Sequence, residues 1–185
     1  MKAESSPVKI LLLEDNEVDA EWVRRALETS KRATFQVEWV DRVEKAIGLI
    51  QKQESFDIII SDLKLPDGFG LEVYDSLHRV ASHIPIVLLT GTLEEEAVAL
   101  EAIQKGAQDY LLKGRIDAPG LHQAIRYAME RKRVEERLRV ADQKLKEKVQ
   151  ELETMNRVMM DREERNLELK EENEILRKQL GEKKP

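Results

Sequence analysis

Four short apolar runs, each stopping at a polar residue, constrain the fold of this chain more than any other feature of it. Val8–Leu13 ends at Glu14-Asp15, Ile58–Ile60 at Ser61-Asp62, Ile86–Leu89 at Thr90-Gly91 and Tyr110–Leu112 at Lys113-Gly114. Runs this short, rich in β-branched residues and almost free of polar ones, fit strands buried on both faces. Phe35, Val37, Trp39 and Val40 add a further strand. Helical spacings fill the gaps. Val18, Trp22, Val23, Ala26 and Leu27 mark a helix over Glu17–Thr29, and Val43, Ile47 and Ile50 mark a second. Leu71, Val73 and Leu77 mark a short helix after the turn residues Pro66-Asp67-Gly68-Phe69-Gly70. Glu94, Glu95 and Glu96 suit a helix N-terminus, and that helix runs to about Lys105, where Gly106 ends it. Five strands alternating with helices predict an α/β fold: a five-stranded, doubly wound parallel sheet covered on both faces.

In such sheets ligands bind beyond the carboxyl ends of the strands. The polar residues expected there are Glu14, Asp15, Asp62, Thr90 and Lys113. Taken singly, a strand-end acid is ordinarily a solvated loop residue. Three carboxylates, a hydroxyl and an ammonium closing almost purely apolar strands form a pattern. Clustered carboxylates repel unless a counter-charge is present. A hard divalent cation supplies it through oxygen ligands, and Mg2+ favours one or two carboxylates beside phosphate oxygens. A carboxylate can also attack a phosphoryl group to give an aspartyl phosphate, whose oxygens an ammonium and a hydroxyl can hold.

The stretches Ile10-Leu11-Leu12-Leu13-Glu14-Asp15-Asn16, Asp57-Ile58-Ile59-Ile60-Ser61-Asp62-Leu63-Lys64-Leu65-Pro66-Asp67-Gly68, Pro85-Ile86-Val87-Leu88-Leu89-Thr90-Gly91 and Gly106-Ala107-Gln108-Asp109-Tyr110-Leu111-Leu112-Lys113 together resemble the receiver domain of bacterial two-component response regulators. The resemblance implies a flavodoxin-like receiver fold over residues 8–130. It implies that Asp62 is the phosphoacceptor, served by a sensor histidine kinase. By the same resemblance Glu14, Asp15, Asp62 and the backbone carbonyl of Lys64 would hold Mg2+. Thr90 and Lys113 would bond the phosphoryl group, and Tyr110 would be an aromatic switch coupled to Thr90. Such a protein is not an enzyme in the ordinary sense; it assists its own phosphorylation and dephosphorylation. One departure stands out: Gly114 follows Lys113 where the family commonly has a proline, so the loop carrying the lysine is expected to be looser. Lys64 and Thr92 occupy positions that tune phosphoryl lifetime in the family.

The remaining candidates have plainer readings. His78, His83 and His122 read as surface residues, and Trp22 and Trp39 as packing residues between helix and sheet. Gly68 and Gly70 lack the lysine of a phosphate-binding loop.

The C-terminal third is a different object. Residues 121–185 carry 17 basic and 15 acidic side chains, and glycine and proline occur there only at Gly181 and Pro185. With Leu138 at heptad position a, the a series is Leu138, Leu145, Leu152, Met159, Asn166, Asn173 and Leu180, and the d series is Val134, Ala141, Lys148, Met155, Arg162, Leu169 and Leu176. This predicts a coiled-coil helix over 131–181 continuous with the last receiver helix. A helix so polar needs a partner, and a parallel homodimer is the expectation. Asn166 and Asn173 would set the register. Charge pairing across the seam agrees weakly: Arg137–Asp142 and Glu172–Arg177 attract, Arg165–Lys170 repels. Residues 1–7 and 182–185 are expected to be disordered.

Composition closes off other classes. With no cysteine there is no disulfide framework or thiolate metal site. Residues 1–7 lack a signal peptide's apolar core, and no apolar run is long enough for a membrane span. A cytoplasmic protein without a membrane partner is expected. The stretch 126–139 is basic, and a DNA-binding regulator is the corresponding alternative. Glu130, Glu135 and Glu136 interrupt that stretch, however, and the whole chain carries −6, so nucleic acid is an improbable partner. The other competitor is a constitutive coiled-coil scaffold with a docking receiver domain. Dimerisation that relays the signal to an unknown downstream protein is the main expectation.

Overall fold

The computed structural model describes residues 6–30, 33–52, 55–179 and 181; the side chains of Gln179 and Leu180, residues 1–5 of the expected N-terminal tail and the tail at 182–185 lie outside the described residues. The chain divides into two units, Met1–Glu136 and Arg137–Pro185.

The first unit holds β1 (Val8–Leu13), α1 (Glu17–Glu28), β2 (Phe35–Val40), α2 (Val43–Gln51), β3 (Ile58–Asp62), β4 (Lys64–Leu65), β5 (Gly68–Phe69), α3 (Leu71–Ala81), β6 (Ile86–Thr90), α4 (Leu93–Gln104) and β7 (Asp109–Leu112). α5 (Ala118–Gln179) begins in this unit and has residues in both. The five-stranded sheet has the order β2-β1-β3-β6-β7, and every pairing in it is parallel.

The pleat sorts each strand's side chains between two apolar layers. Leu11, Leu13, Ile59, Ile86 and Leu88 face one layer, which is completed by Val43 and Ala46 of α2, Val73, Tyr74 and Leu77 of α3, and Ala99 and Ala102 of α4. Ile10, Leu12, Ile58, Ile60, Val87 and Leu89 face the other, completed by Ala20, Val23, Ala26 and Leu27 of α1 and Leu121, Ala124, Ile125 and Ala128 of α5. β3 and β6 are therefore buried along their whole length, whereas the edge strand β2 alternates. Position in the sheet, rather than strand propensity, separates the two patterns.

Local signals set the helix ends. The Asn16 side chain accepts from the amides of Val18 and Asp19 and starts α1. Thr92 and Glu95 form a capping box that starts α4, so among the three expected acids Glu95 is the capping one. Gly106 follows α4 at φ 114, and a Cβ there would lie 3.3 Å from the Tyr74 hydroxyl. α2 has no side-chain cap of its own. Its first amides, Val43 and Glu44, instead donate to the two carboxylate oxygens of Asp67 at 3.0 and 2.9 Å. Asp67 stands in the turn between β4 and β5, an antiparallel pair that sequence reading took only as a turn.

Two plain readings need correction. Trp22 is 41% exposed on α1 instead of packing inside, because the buried stripe of α1 runs through Ala20, Val23, Ala26 and Leu27. His122 is half-buried rather than on the surface: it stacks on Phe35, and its Nε2 lies 2.9 Å from the carbonyl of Ala26. His78 likewise stacks on Tyr74.

In the second unit the residues of 137–178 are exposed throughout. Leu138, Leu145, Leu152, Met155, Met159, Leu169 and Leu176, all assigned to the heptad seam, lie open. Between them run short-range ion pairs, Asp142–Lys146 at 2.7 Å and Lys148–Glu151 at 2.6 Å. The side chain of Asn173 donates to the carbonyl of Leu169 at 2.9 Å, and Asn166 is exposed. A 62-residue helix with this much open apolar surface gains little of its stability from packing within one chain.

Candidate functional site

The carboxyl ends of β1, β3, β6 and β7 carry the residues the sequence singled out. Glu14 follows β1 and is fully buried, Asp15 beside it is exposed, and Asp62 ends β3 at 5% exposure. One carboxylate oxygen from each of these three lies within 4.8 Å of the other two. Parallel pairing brings them together, because Leu13 stands opposite Ser61 in the register of β1 and β3.

Lys113, the residue after β7, sends its ammonium into this cluster. Its Nζ lies 2.7 Å from Glu14 Oε2, 2.8 Å from Asp62 Oδ2 and 3.2 Å from Asp19 Oδ2. The Lys113 amide donates to the Thr90 carbonyl at 2.7 Å, fixing its backbone to the end of β6. Asp19, in the first turn of α1, was missed in the sequence. Its only signal there was an acid four residues beyond Asp15, at a helix start where acids are commonplace.

The electrostatics follow from burial. Desolvation pushes the Glu14 carboxyl up to about 7 from 4.5, against the pull of Lys113. Burial also works against the Lys113 ammonium, but hydrogen bonds to Asp62 and Glu14 outweigh it and raise its pKa. The cluster is thus a place where adding positive charge is favourable. Two buried acids and one exposed acid, all oxygen donors, suit a small hard dication with part of its coordination left to solvent or a ligand.

Thr90 is fully buried at the end of β6, and its hydroxyl has no hydrogen-bond partner among the described residues. Buried hydroxyls are nearly always paired, so this one is an exception and is free to donate. Lys64 lies two residues past Asp62, with its amide donating to Asp62 Oδ1 at 3.3 Å and its side chain exposed. Tyr110 on β7 is half-buried, and its hydroxyl donates to Glu96 Oε1 of α4 at 2.8 Å. That bond to a carboxylate is the main reason its phenol titrates above the usual range. Gly114 adopts φ 74 with open space where a Cβ would project, and no peptide bond among the described residues is cis. The indole N–H of Trp39 donates to the Glu14 carbonyl at 2.8 Å, which buttresses the cluster from β2.

Chemically, the arrangement offers two buried carboxylates and an exposed one close together, an ammonium in contact with the buried pair, and an unpaired hydroxyl. Comparison with known proteins gives the family and the fold. The family model of the response regulator receiver domain matches residues 10–126. The chain is 35% identical over 105 residues to the KDP operon transcriptional regulatory protein KdpE of Escherichia coli, covering 56% of this chain and 44% of that protein. It is 31% identical over 111 residues to the 3',5'-cyclic-nucleotide phosphodiesterase regA of Dictyostelium discoideum, covering 58% of this chain and 14% of that one. The chain therefore spans less than half the length of these curated relatives. Among solved structures, a response regulator receiver domain protein from Clostridium thermocellum superposes with a TM-score of 0.60 at 25% identity, covering 69% of this chain and 98% of that one. The signal receiver domain of a putative Luxo repressor protein from Vibrio parahaemolyticus gives 0.59 at 27%, covering 71% and 97%.

Proposed function

The chain belongs to the response regulator receiver domain family, and on that premise we propose that it accepts a phosphoryl group on Asp62 from a sensor histidine kinase in a Mg2+-dependent step. The observation that carries this is the buried Asp62 carboxylate, 2.8 Å from the Lys113 ammonium and within 4.8 Å of oxygens from Glu14 and Asp15. Glu14, Asp15, Asp62 and the backbone carbonyl of Lys64 would hold the cation. When bound, it would neutralise charge on the transferring phosphoryl group.

The protein's own groups divide the remaining work. An oxygen of Asp62 attacks the phosphorus of a phosphohistidine. The new O–P bond forms as the N–P bond breaks, and the released imidazole takes a proton from solvent. Lys113 pairs with the phosphoryl oxygens, and the Thr90 hydroxyl, unpaired and buried, donates to one of them. Drawing Thr90 toward the phosphoryl group opens space at β6, and Tyr110 leaves Glu96 to fill it. The chain acts as a phosphoacceptor that assists its own phosphorylation and dephosphorylation, not as an enzyme on a separate substrate. The cytoplasm is its proposed compartment; no helix among the described residues is long and apolar enough to cross a membrane.

Output is proposed to run through a parallel homodimer of the second unit's helix to a downstream protein. The open heptad positions support this, since Leu138, Leu145, Leu152 and Met159 at a need a partner helix to be covered. Incubation with acetyl phosphate and Mg2+, followed by intact-mass and peptide mass spectrometry, tests the phosphoacceptor reading. One phosphoryl group on wild type and none on Asp62→Asn is expected. A wild-type chain that stays unmodified overturns it.

A further inference from the structure

We infer that Asp19 is a positioning residue that holds the Lys113 ammonium over Asp62 while a cation occupies the acid cluster. The inference deepens the phosphoacceptor reading above and rests on it. A lysine ammonium has three N–H donors, and Lys113 has three carboxylate partners, Glu14, Asp62 and Asp19. Glu14 and Asp62 belong to the cluster suited to a dication; Asp19 does not. A dication drawing on Glu14 and Asp62 repels a neighbouring ammonium and competes for the same oxygens. Asp19 is the one partner whose attraction for Lys113 that competition leaves whole.

The mechanical side points the same way. Lysine carries its charge on a flexible four-carbon stem. The Lys113 backbone is held to the end of β6 by the bond from its amide to the Thr90 carbonyl, so the freedom lies in that stem. Asp19 stands on firmer ground. Its amide is held by the Asn16 cap, and the next residue, Ala20, is buried in the core. A fixed acid on a packed helix thus tethers an ammonium carried on a flexible stem. The opposing view is that a pair with one side chain 42% exposed is an ordinary surface ion pair that contributes little.

Asp19→Asn in the full chain separates these views through two readouts. The first is independent of phosphorylation: amine acetylation of the native protein in saturating Mg2+, quantified by peptide mass spectrometry. Losing one charged contact of this kind is expected to raise Lys113 labelling about three- to ten-fold. Lys105, which pairs with Asp75 at 2.9 Å, serves as the unchanged control. The second is the phosphorylation rate from acetyl phosphate at saturating Mg2+, expected to fall by about the same factor with an unaltered melting curve. Asp19→Glu should restore both. If Asp19→Asn is labelled and phosphorylated like wild type, this inference is overturned. A wild-type chain that takes no phosphoryl group overturns the functional proposal instead, and the labelling result still reports whether Asp19 holds Lys113.

Discussion

Glu14 makes the stability of the first unit depend on pH in a direction opposite to that of most carboxylates. Burial pushes its pKa up to about 7 from 4.5. A folded-state pKa above the unfolded value means that the native protein binds the proton more tightly. The stabilisation is complete below the unfolded value of 4.5 and disappears as pH rises through 7. The difference is 2.5 units, which at about 1.4 kcal/mol per unit makes ionised Glu14 cost about 3 kcal/mol. Urea titrations followed by tryptophan fluorescence read this unit selectively, because Trp22 and Trp39 both lie in it and Trp39 touches the Glu14 carbonyl. Between about pH 5 and about pH 8 the wild type should lose most of that 3 kcal/mol relative to Glu14→Gln. Subtracting the variant removes the contribution of the titrating groups that are not coupled to Glu14, leaving those of Glu14 and its neighbours Lys113 and Asp62. Saturating Mg2+ should stabilise wild type at about pH 8 and much less at about pH 5, since a cation binds the ionised acid. Parallel pH profiles for wild type and Glu14→Gln would refute the reasoning.

Other consequences are simpler to measure. Thr90→Val should leave the unfolding free energy unchanged or raise it by up to about 1 kcal/mol, because the hydroxyl it removes is buried without a bond. The same variant should hold its phosphoryl group less well, read as a shorter lifetime by mass spectrometry. Asp67→Ala takes two acceptors from the start of α2 and should cost about 0.5–2 kcal/mol in a urea melt, as loss of an N-cap does. Leu145→Asp with Leu152→Asp puts charge at two successive a positions. Light scattering should then report a monomer where the wild type is a dimer, with the phosphorylation of Asp62 intact. Equal mass for both would rule out the proposed seam.

The sheet was legible in the sequence because its central strands are covered on both faces. A strand with little or no solvent face is apolar along most of its length, so β1, β3 and β6 stood out as runs and their polar terminators stood out as a site. The long helix was legible for the opposite reason, a heptad repeat unbroken by glycine or proline. Three features were not. Asp67 caps a helix that starts 24 residues before it, and nothing local marks a cap supplied from another loop. Trp22 is large and apolar, and only the stripe chosen by the sheet leaves it outside. Asp19 looks like any acid at a helix start until β7 delivers Lys113 from 94 residues away.

The sequence by itself determined the types and order of the helices and of the five strands of the parallel sheet, though not the small β4–β5 pair, and the residues at the strand ends. Periodicity and punctuation are properties of neighbours within a few positions, and a linear chain displays them. Tertiary structure decided which of those residues meet, which carboxylate loses water and so rises to about 7, and which acid shares the lysine. Distance and dielectric environment are set by residues remote in sequence, and they exist only once the sheet has closed over its two apolar layers.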